Sequence, residues 1–143
     1  MLIVLDTNVL VSALLNPFGT PARVLDQVLA DFVQLAFDDR ILAEYSEVLK
    51  RPRFGFPANA IQALLDHIQL NGRQIAAAPA RLRRFPDSGD LPFAEVALSA
   101  PADVLATGNV SHFRSLEGHG ISVLTSAEFM DCLEQLMQRS RPG

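Results

Sequence analysis

Four short segments of this 143-residue chain carry a carboxylate, or its amide, at places where a parallel α/β fold would bring them together. The first is Leu2-Ile3-Val4-Leu5-Asp6-Thr7-Asn8, and the second is Glu44 within an apolar helical pattern. The third is Asp87-Ser88-Gly89-Asp90 ahead of Leu91-Pro92-Phe93, and the fourth is Thr107-Gly108-Asn109 after an apolar run. Carboxylates gathered in one pocket repel one another and call for a cation between them. Hard oxygen donors select Mg²⁺ or Mn²⁺ over softer metals. The chemistry suited to such a pocket is phosphodiester hydrolysis, in which metal ions activate water and hold the leaving oxygen.

Positioning these groups is the work of alternating strands and helices. Leu2–Leu5 reads as a buried strand, followed by a helix over 9–15 that Asn16-Pro17 and Gly19 end. Thr20 reads as the cap of a helix reaching about residue 30, with Pro21 in its first turn. Residues 33–37 form a second strand, and Asp38 or Asp39 caps a helix through Lys50. A further helix runs from Ala58 to about Leu70 and stops at Asn71-Gly72. Residues 75–77 read as a weak third strand, 92–98 as a short helix, 104–106 and 121–124 as strands. A terminal helix over 126–137, capped by Ser126, ends the domain at about residue 138, and 139–143 is expected to fray.

Near-continuous apolar strands between helices point to a parallel sheet covered on both faces. Ligands of such sheets gather beyond the strand carboxyl ends, at the switch in strand order. Asp6 and Asn109 both lie on that edge, and they meet if the first and fourth strands are neighbours.

Each group also has a plainer reading. Asp6 and Asp90 could cap the helices that follow them, and Asp87 could stabilise its turn. Glu44 lies about 40° outside an arc of about 120° formed by Ile41, Leu42, Tyr45, Val48 and Leu49. That places it on the rim of a buried stripe, within reach of a pocket or of solvent. Glu95, opposite the Phe93, Val96 and Ala97 stripe, reads as solvated. His67, His112 and His119 share no metal-ligand spacing with one another or with Cys132, which argues against zinc.

Composition narrows the class. Hydrophobic residues are 49% and charged residues 20%, the balance of a compact domain rather than a disordered chain. No apolar run approaches the roughly 18–20 residues that span a bilayer, and Asp6 interrupts the apolar start, so neither membrane insertion nor a signal peptide is expected. One cysteine forms no internal disulfide, which fits a reducing cytoplasm. The net charge of −4 does not advertise nucleic-acid binding. Its cations are nonetheless clustered, at Lys50, Arg51 and Arg53 and again at Arg81, Arg83 and Arg84. The planar fork of these arginines suits phosphate.

In this order and spacing the four segments resemble the PIN domain. The resemblance is carried by Leu5-Asp6-Thr7-Asn8-Val9-Leu10, by Glu44 ahead of Val48-Leu49, by Asp87 and Asp90 ahead of Phe93, and by Ala102-Asp103-Val104-Leu105-Ala106-Thr107-Gly108-Asn109 with its trailing His112-Phe113. The branch most resembled is the bacterial PIN proteins of toxin–antitoxin systems. The resemblance implies a three-layer α/β/α sandwich around a parallel sheet of about five strands, and a metal-dependent endoribonuclease acting on single-stranded RNA. It further implies Mg²⁺ or Mn²⁺ as cofactor, a small antitoxin as partner, a homodimer, and a cytoplasmic protein.

By position, Asp6, Glu44 and Asp90 match the family's core acids, and Asp87 would be a further ligand if its turn brings it inward. Thr7, Asn8 and Thr107 would orient ligands and waters. The departure is Asn109, where many members carry Asp, so one negative charge is missing. Two rival classes follow. One is a PIN fold that binds RNA or protein with weakened or lost turnover. The other is a phosphotransfer domain with a nucleophilic Asp6, which would need a later lysine, whereas the only lysine is Lys50.

Overall fold

The computed structural model describes residues 1–79 and 88–140. Its strands are β1 (Leu2–Leu5), β2 (Gln34–Phe37), β3 (Arg73–Gln74), β4 (Val104–Ala106) and β5 (Ser122–Leu124). The helices are α1 (Thr7–Leu15), α2 (Thr20–Leu29), α3 (Asp39–Leu49), α4 (Ala58–Asn71), α5 (Leu91–Ser99) and α6 (Ser126–Arg139). Shorter 3-10 segments lie at Pro52–Phe54, Ser88–Asp90 and Val110–His119. Every strand pairing is parallel, in the order β3-β2-β1-β4-β5, and the helices sandwich the sheet in a three-layer α/β/α arrangement.

This order fixes where a site can form. The chain steps from β1 to β2 and β3 on one side, then returns to place β4 and β5 on the other. A switch-point crevice therefore opens between the carboxyl ends of β1 and β4. Leu5 is in register with Ala106, and the Asp6 amide donates to the Ala106 carbonyl at 3.0 Å. At the other end of this strand pair the Leu2 amide donates to Asp103 Oδ2 at 2.8 Å. All four residues of β1 are buried, as are all three of β4, because helices cover both faces.

Several boundaries differ from the sequence reading, each for a local reason. The third strand is Arg73–Gln74 rather than 75–77, although the Ile75 amide still reaches the Phe37 carbonyl at 2.8 Å. Ile75 and Ala77 are apolar because they pack against the core, not because they pair. The cap of α2 is Gly19, with Thr20 and Pro21 inside the first turn. Thr125, not Ser126, caps α6, through a reciprocal box with Glu128. Among the described residues no helix is long and apolar enough to cross a membrane.

Gly72, the stop after α4, is required by contact rather than by φ. A Cβ there would stand 2.5 Å from the Ile68 carbonyl oxygen and 2.8 Å from that of Leu35. Both obstacles are backbone, so neither yields by a rotamer change. Gly72→Ala is expected to destabilise the fold by about 3 kcal/mol, read as a shift of the urea midpoint with an unchanged m-value.

Candidate active site

Asp6 occupies the N-cap position of α1, yet its side chain makes no capping bond. Its carboxylate instead accepts a hydrogen bond from Thr107 Oγ1, at 2.8 Å across the β1–β4 crevice. The plainer reading of Asp6 as a helix cap therefore fails. The same holds for Asp90, at the N-cap of α5 with no side-chain cap bond. Asp90 Oδ2 lies 3.0 Å from His112 Nδ1. Glu44 reaches the same locality from α3, accepting from the hydroxyl of Thr7, the residue after Asp6.

Electrostatics joins the three acids. Asp6 is 6% exposed, and its carboxyl is raised to about 6 from an ordinary 3.8. Burial is the main cause, and the nearby charges of Asp90 and Glu44 add to it. The Thr107 hydroxyl works in the opposite direction by holding the ionised form. Burial also pushes the Tyr45 phenol up, with Asp6 and Glu44 contributing, so this hydroxyl stays protonated. Tyr45 donates to the Leu5 carbonyl at 2.5 Å and its ring lies 6.3 Å from that of Phe93. One side chain thus ties the end of β1, next to Asp6, to α3, which carries Glu44, and to α5, which Asp90 immediately precedes.

Around this core the polar neighbours fix the crevice walls. The Gly108 amide donates to Asn8 Oδ1 at 3.2 Å, and the Asn109 amide donates to Thr107 Oγ1 at 2.9 Å. Thr107, fully buried, thereby links Asp6 to the turn that presents Asn109. Asn109 itself is exposed at the mouth of the crevice. Asp87, Arg81, Arg83 and Arg84 lie outside the described residues. Of the other cations, Arg51 is paired with Glu47 at 2.9 Å. Lys50 and Arg53 are exposed and have no carboxylate partner among the described residues.

The donor chemistry fits a hard divalent cation. All three acids offer oxygen, and no Lys or Arg among the described residues pairs with any of them. Asp6 in particular is a buried acid whose ionised form is disfavoured by its surroundings, which a cation would relieve. As they stand, the acids are electrostatic neighbours rather than a closed cage. Among the described residues no three His, Cys, Asp or Glu side chains group tightly enough to hold an ion. Glu44 and Asp90 each engage a neighbour, Thr7 and His112.

Three participants escaped the sequence reading. His112 enters the sequence reading only against zinc and within the family resemblance; its contact with Asp90 depends on how the 110–119 segment folds back. No local pattern marks Arg40, and the helical phase of Glu95 predicts a solvated side chain. Glu95 is in fact 5% exposed, because α5 is enclosed along Phe93–Ala97 and has no open face there. Arg40 Nη1 meets Glu95 Oε1 at 2.7 Å, and Arg40 Nη2 meets Asp38 Oδ2 at 2.8 Å. Asp38 caps α3 by accepting from the Ile41 amide at 3.0 Å. Arg40 therefore clamps the start of α3 to α5, one helical turn before Glu44. Arg40→Met is expected to cost about 1–3 kcal/mol, since it strips charge compensation from a buried carboxylate. Adding Glu95→Gln should restore part of that loss in a double-mutant cycle followed by urea unfolding.

The family model described as the PIN domain matches residues 2–111, and the chain belongs to that family. Among solved structures, the chain is similar to one described as VapBC2 from Rickettsia felis bound to a DNA fragment from their promoter. That likeness has a TM-score of 0.52 and 18% identity, and covers 86% of this chain and 97% of the other. It supports the fold. No match is found among curated proteins.

Proposed function

We propose that the protein is a divalent-metal-dependent endoribonuclease that hydrolyses phosphodiesters of single-stranded RNA, and that it is the toxin half of a toxin–antitoxin pair. The observation that carries this reading is the convergence of Asp6, Glu44 and Asp90, from three separate elements, on one crevice where burial and mutual repulsion raise the Asp6 carboxyl. Membership of the PIN domain family and the likeness to a VapBC2 complex support the nuclease and the partnered toxin respectively.

Asp6 and Asp90 would hold Mg²⁺ or Mn²⁺, with Glu44 binding directly or through water. When bound, the ion lowers the pKa of its water and offsets charge developing on the phosphate oxygens. The protein's own part is positional. Thr107 fixes one Asp6 oxygen, Thr7 orients Glu44, and His112 orients Asp90. Asn8 and Thr107 hold the 107–109 turn against the crevice through backbone amides.

Asn109 favours a second reading, a PIN fold retained for binding with diminished turnover, because an exposed amide supplies no charge where a fourth acid would. One experiment separates the two. Partner-free protein is incubated with a labelled single-stranded RNA pool in Mg²⁺, in Mn²⁺ and in EDTA. Metal-dependent cleavage that disappears in Asp6→Asn supports the nuclease. Silence in both the wild type and Asn109→Asp would reject it in favour of the binding module.

A further inference from the structure

A substrate strand does not end at the phosphate being cut; it must leave the acid crevice along the surface. A groove of about 340 Å³ between α1 and α3 opens from that crevice. Asn8 and Glu44 lie at its crevice end, Val11 and Val48 form its walls one helical turn further along, and Arg53 and Phe54 close its far end. A larger cavity beside the β2 and β3 ends is walled by Asp38 and Asp39, and its one cation among the described residues, Arg40, is already spent on Asp38 and Glu95. Phosphate would meet net negative charge there.

The α1–α3 groove, with Glu44 at one end and Arg53 at the other, presents no net negative charge. Arg53 has no carboxylate partner among the described residues, whereas Arg51 beside it is neutralised by Glu47. Its guanidinium carbon lies 4.7 Å from the centre of the Phe54 ring, which holds the cation in place without consuming its charge. Phe54 is in turn stacked on Phe56, with ring centres 5.4 Å apart and planes 10° from parallel. An ordered aromatic pair, a guanidinium with no carboxylate partner among the described residues and an apolar wall together suit the edge of a planar base with an attached phosphate.

Resting on the nuclease reading above, we propose that this groove seats the nucleotides flanking the scissile phosphate in single-stranded RNA. A base packs against Val11, Val48 and Phe54, and a neighbouring phosphate engages Arg53. A protein partner's apolar helix is less well matched. The floor offers only three apolar side chains, and both ends present polar or charged groups.

The test measures binding rather than turnover, in an Asp6→Asn background that leaves the RNA intact. Fluorescence anisotropy of a short labelled single-stranded RNA of mixed sequence is followed in Mg²⁺ across a salt series. Into that background are placed Arg53→Met, Phe54→Ala, Phe54→Tyr and, at the remote end of α6, Arg139→Met. Phe54→Ala is expected to raise Kd roughly tenfold, and Phe54→Tyr to leave it near the parent value because the aromatic ring is kept. Arg53→Met should raise Kd and lower the slope of log Kd against log salt by about 0.7, one single-strand phosphate contact. Thermal melts of each variant establish that it is folded.

If Arg53→Met and Phe54→Ala shift Kd no more than Arg139→Met does, the groove assignment is overturned while the nuclease reading stands. Unchanged RNA binding together with lost capture of a co-expressed partner polypeptide would overturn it in favour of a protein occupant. If the Asp6→Asn parent binds no RNA although the wild type cleaves it in Mn²⁺, the inference fails alone. If the wild type also fails to cleave, both fall.

Discussion

Replacing Asp6 by Asn is expected to make the metal-free protein more stable at pH 7.5 while abolishing metal-dependent cleavage. The stability half follows from linkage. The Asp6 carboxyl titrates at about 6 in the folded protein, above its ordinary value of 3.8. A group raised in this way contributes stability that is fully present below the unfolded value. That contribution is lost as pH rises through the folded value. At pH 4 the carboxyl is largely protonated, and Asn and Asp are nearly equivalent. Between about pH 4 and 7 the wild type loses stability that the Asn variant keeps, about 3 kcal/mol at most. In EDTA the variant should therefore melt several degrees higher than the wild type at pH 7.5 and at about the same temperature at pH 4.

The second half reverses the ranking. Mn²⁺ should raise the wild-type Tm at pH 7.5 by binding the folded state and leave the Asn variant almost unmoved. Loss of a charged ligand removes several kcal/mol of charge stabilisation, on the order of a thousandfold in rate. A variant that is both more stable and inactive would identify Asp6 as a group kept for chemistry at a cost to the fold. Equal melting of the two proteins in EDTA at pH 7.5 would show that burial and the neighbouring acids do not strain the ionised form.

Much of this arrangement was legible in the residues themselves. β1 and β4 announce themselves as short apolar runs because parallel strands covered on both faces have no polar side to alternate with. Asp6 stood out because it ends such a run, and a carboxylate is costly at that edge without a reason. Adjacency of β1 and β4 was a different matter. It is a property of the order β3-β2-β1-β4-β5, decided by where the chain reverses, and no local pattern encodes it.

At the site the misreadings come from tertiary packing. Glu95 has the helical phase of a solvent-facing residue, but a phase argument assumes that the helix has a solvent face. Between the sheet, α3 and the 110–119 segment, α5 has none along Phe93–Ala97. Arg40 and His112 were invisible for the complementary reason. Their partners Glu95 and Asp90 are 55 and 22 residues away, and only the packing of α3 and of the 3-10 segment on α5 brings them into contact. Glu44 shows the limit from the other side. Its phase placed it on the rim of the buried stripe, and the structure leaves it there, half-buried with Thr7 donating to it.

Asn109→Asp is expected to increase metal affinity and cleavage, roughly tenfold or more in each. Asn109 follows Thr107, whose hydroxyl both donates to Asp6 and accepts from the Asn109 amide. The position is therefore tied to the Asp6 carboxylate through one buried residue, and a carboxylate placed there adds a hard, charged donor to the mouth of the crevice. The stability cost of this added charge should be small, in contrast to that at Asp6. Asn109 is exposed, so the new charge keeps its hydration and its repulsion of Asp6 and Asp90 is screened. The measurement is a Mn²⁺ titration of the wild type and the variant, followed by Tm, beside cleavage of the same RNA pool. Tighter binding with faster cleavage would mean that the fold retains a complete site apart from one charge. Tighter binding without cleavage would locate the deficit in substrate positioning, and unchanged binding would place Asn109 outside the metal's reach.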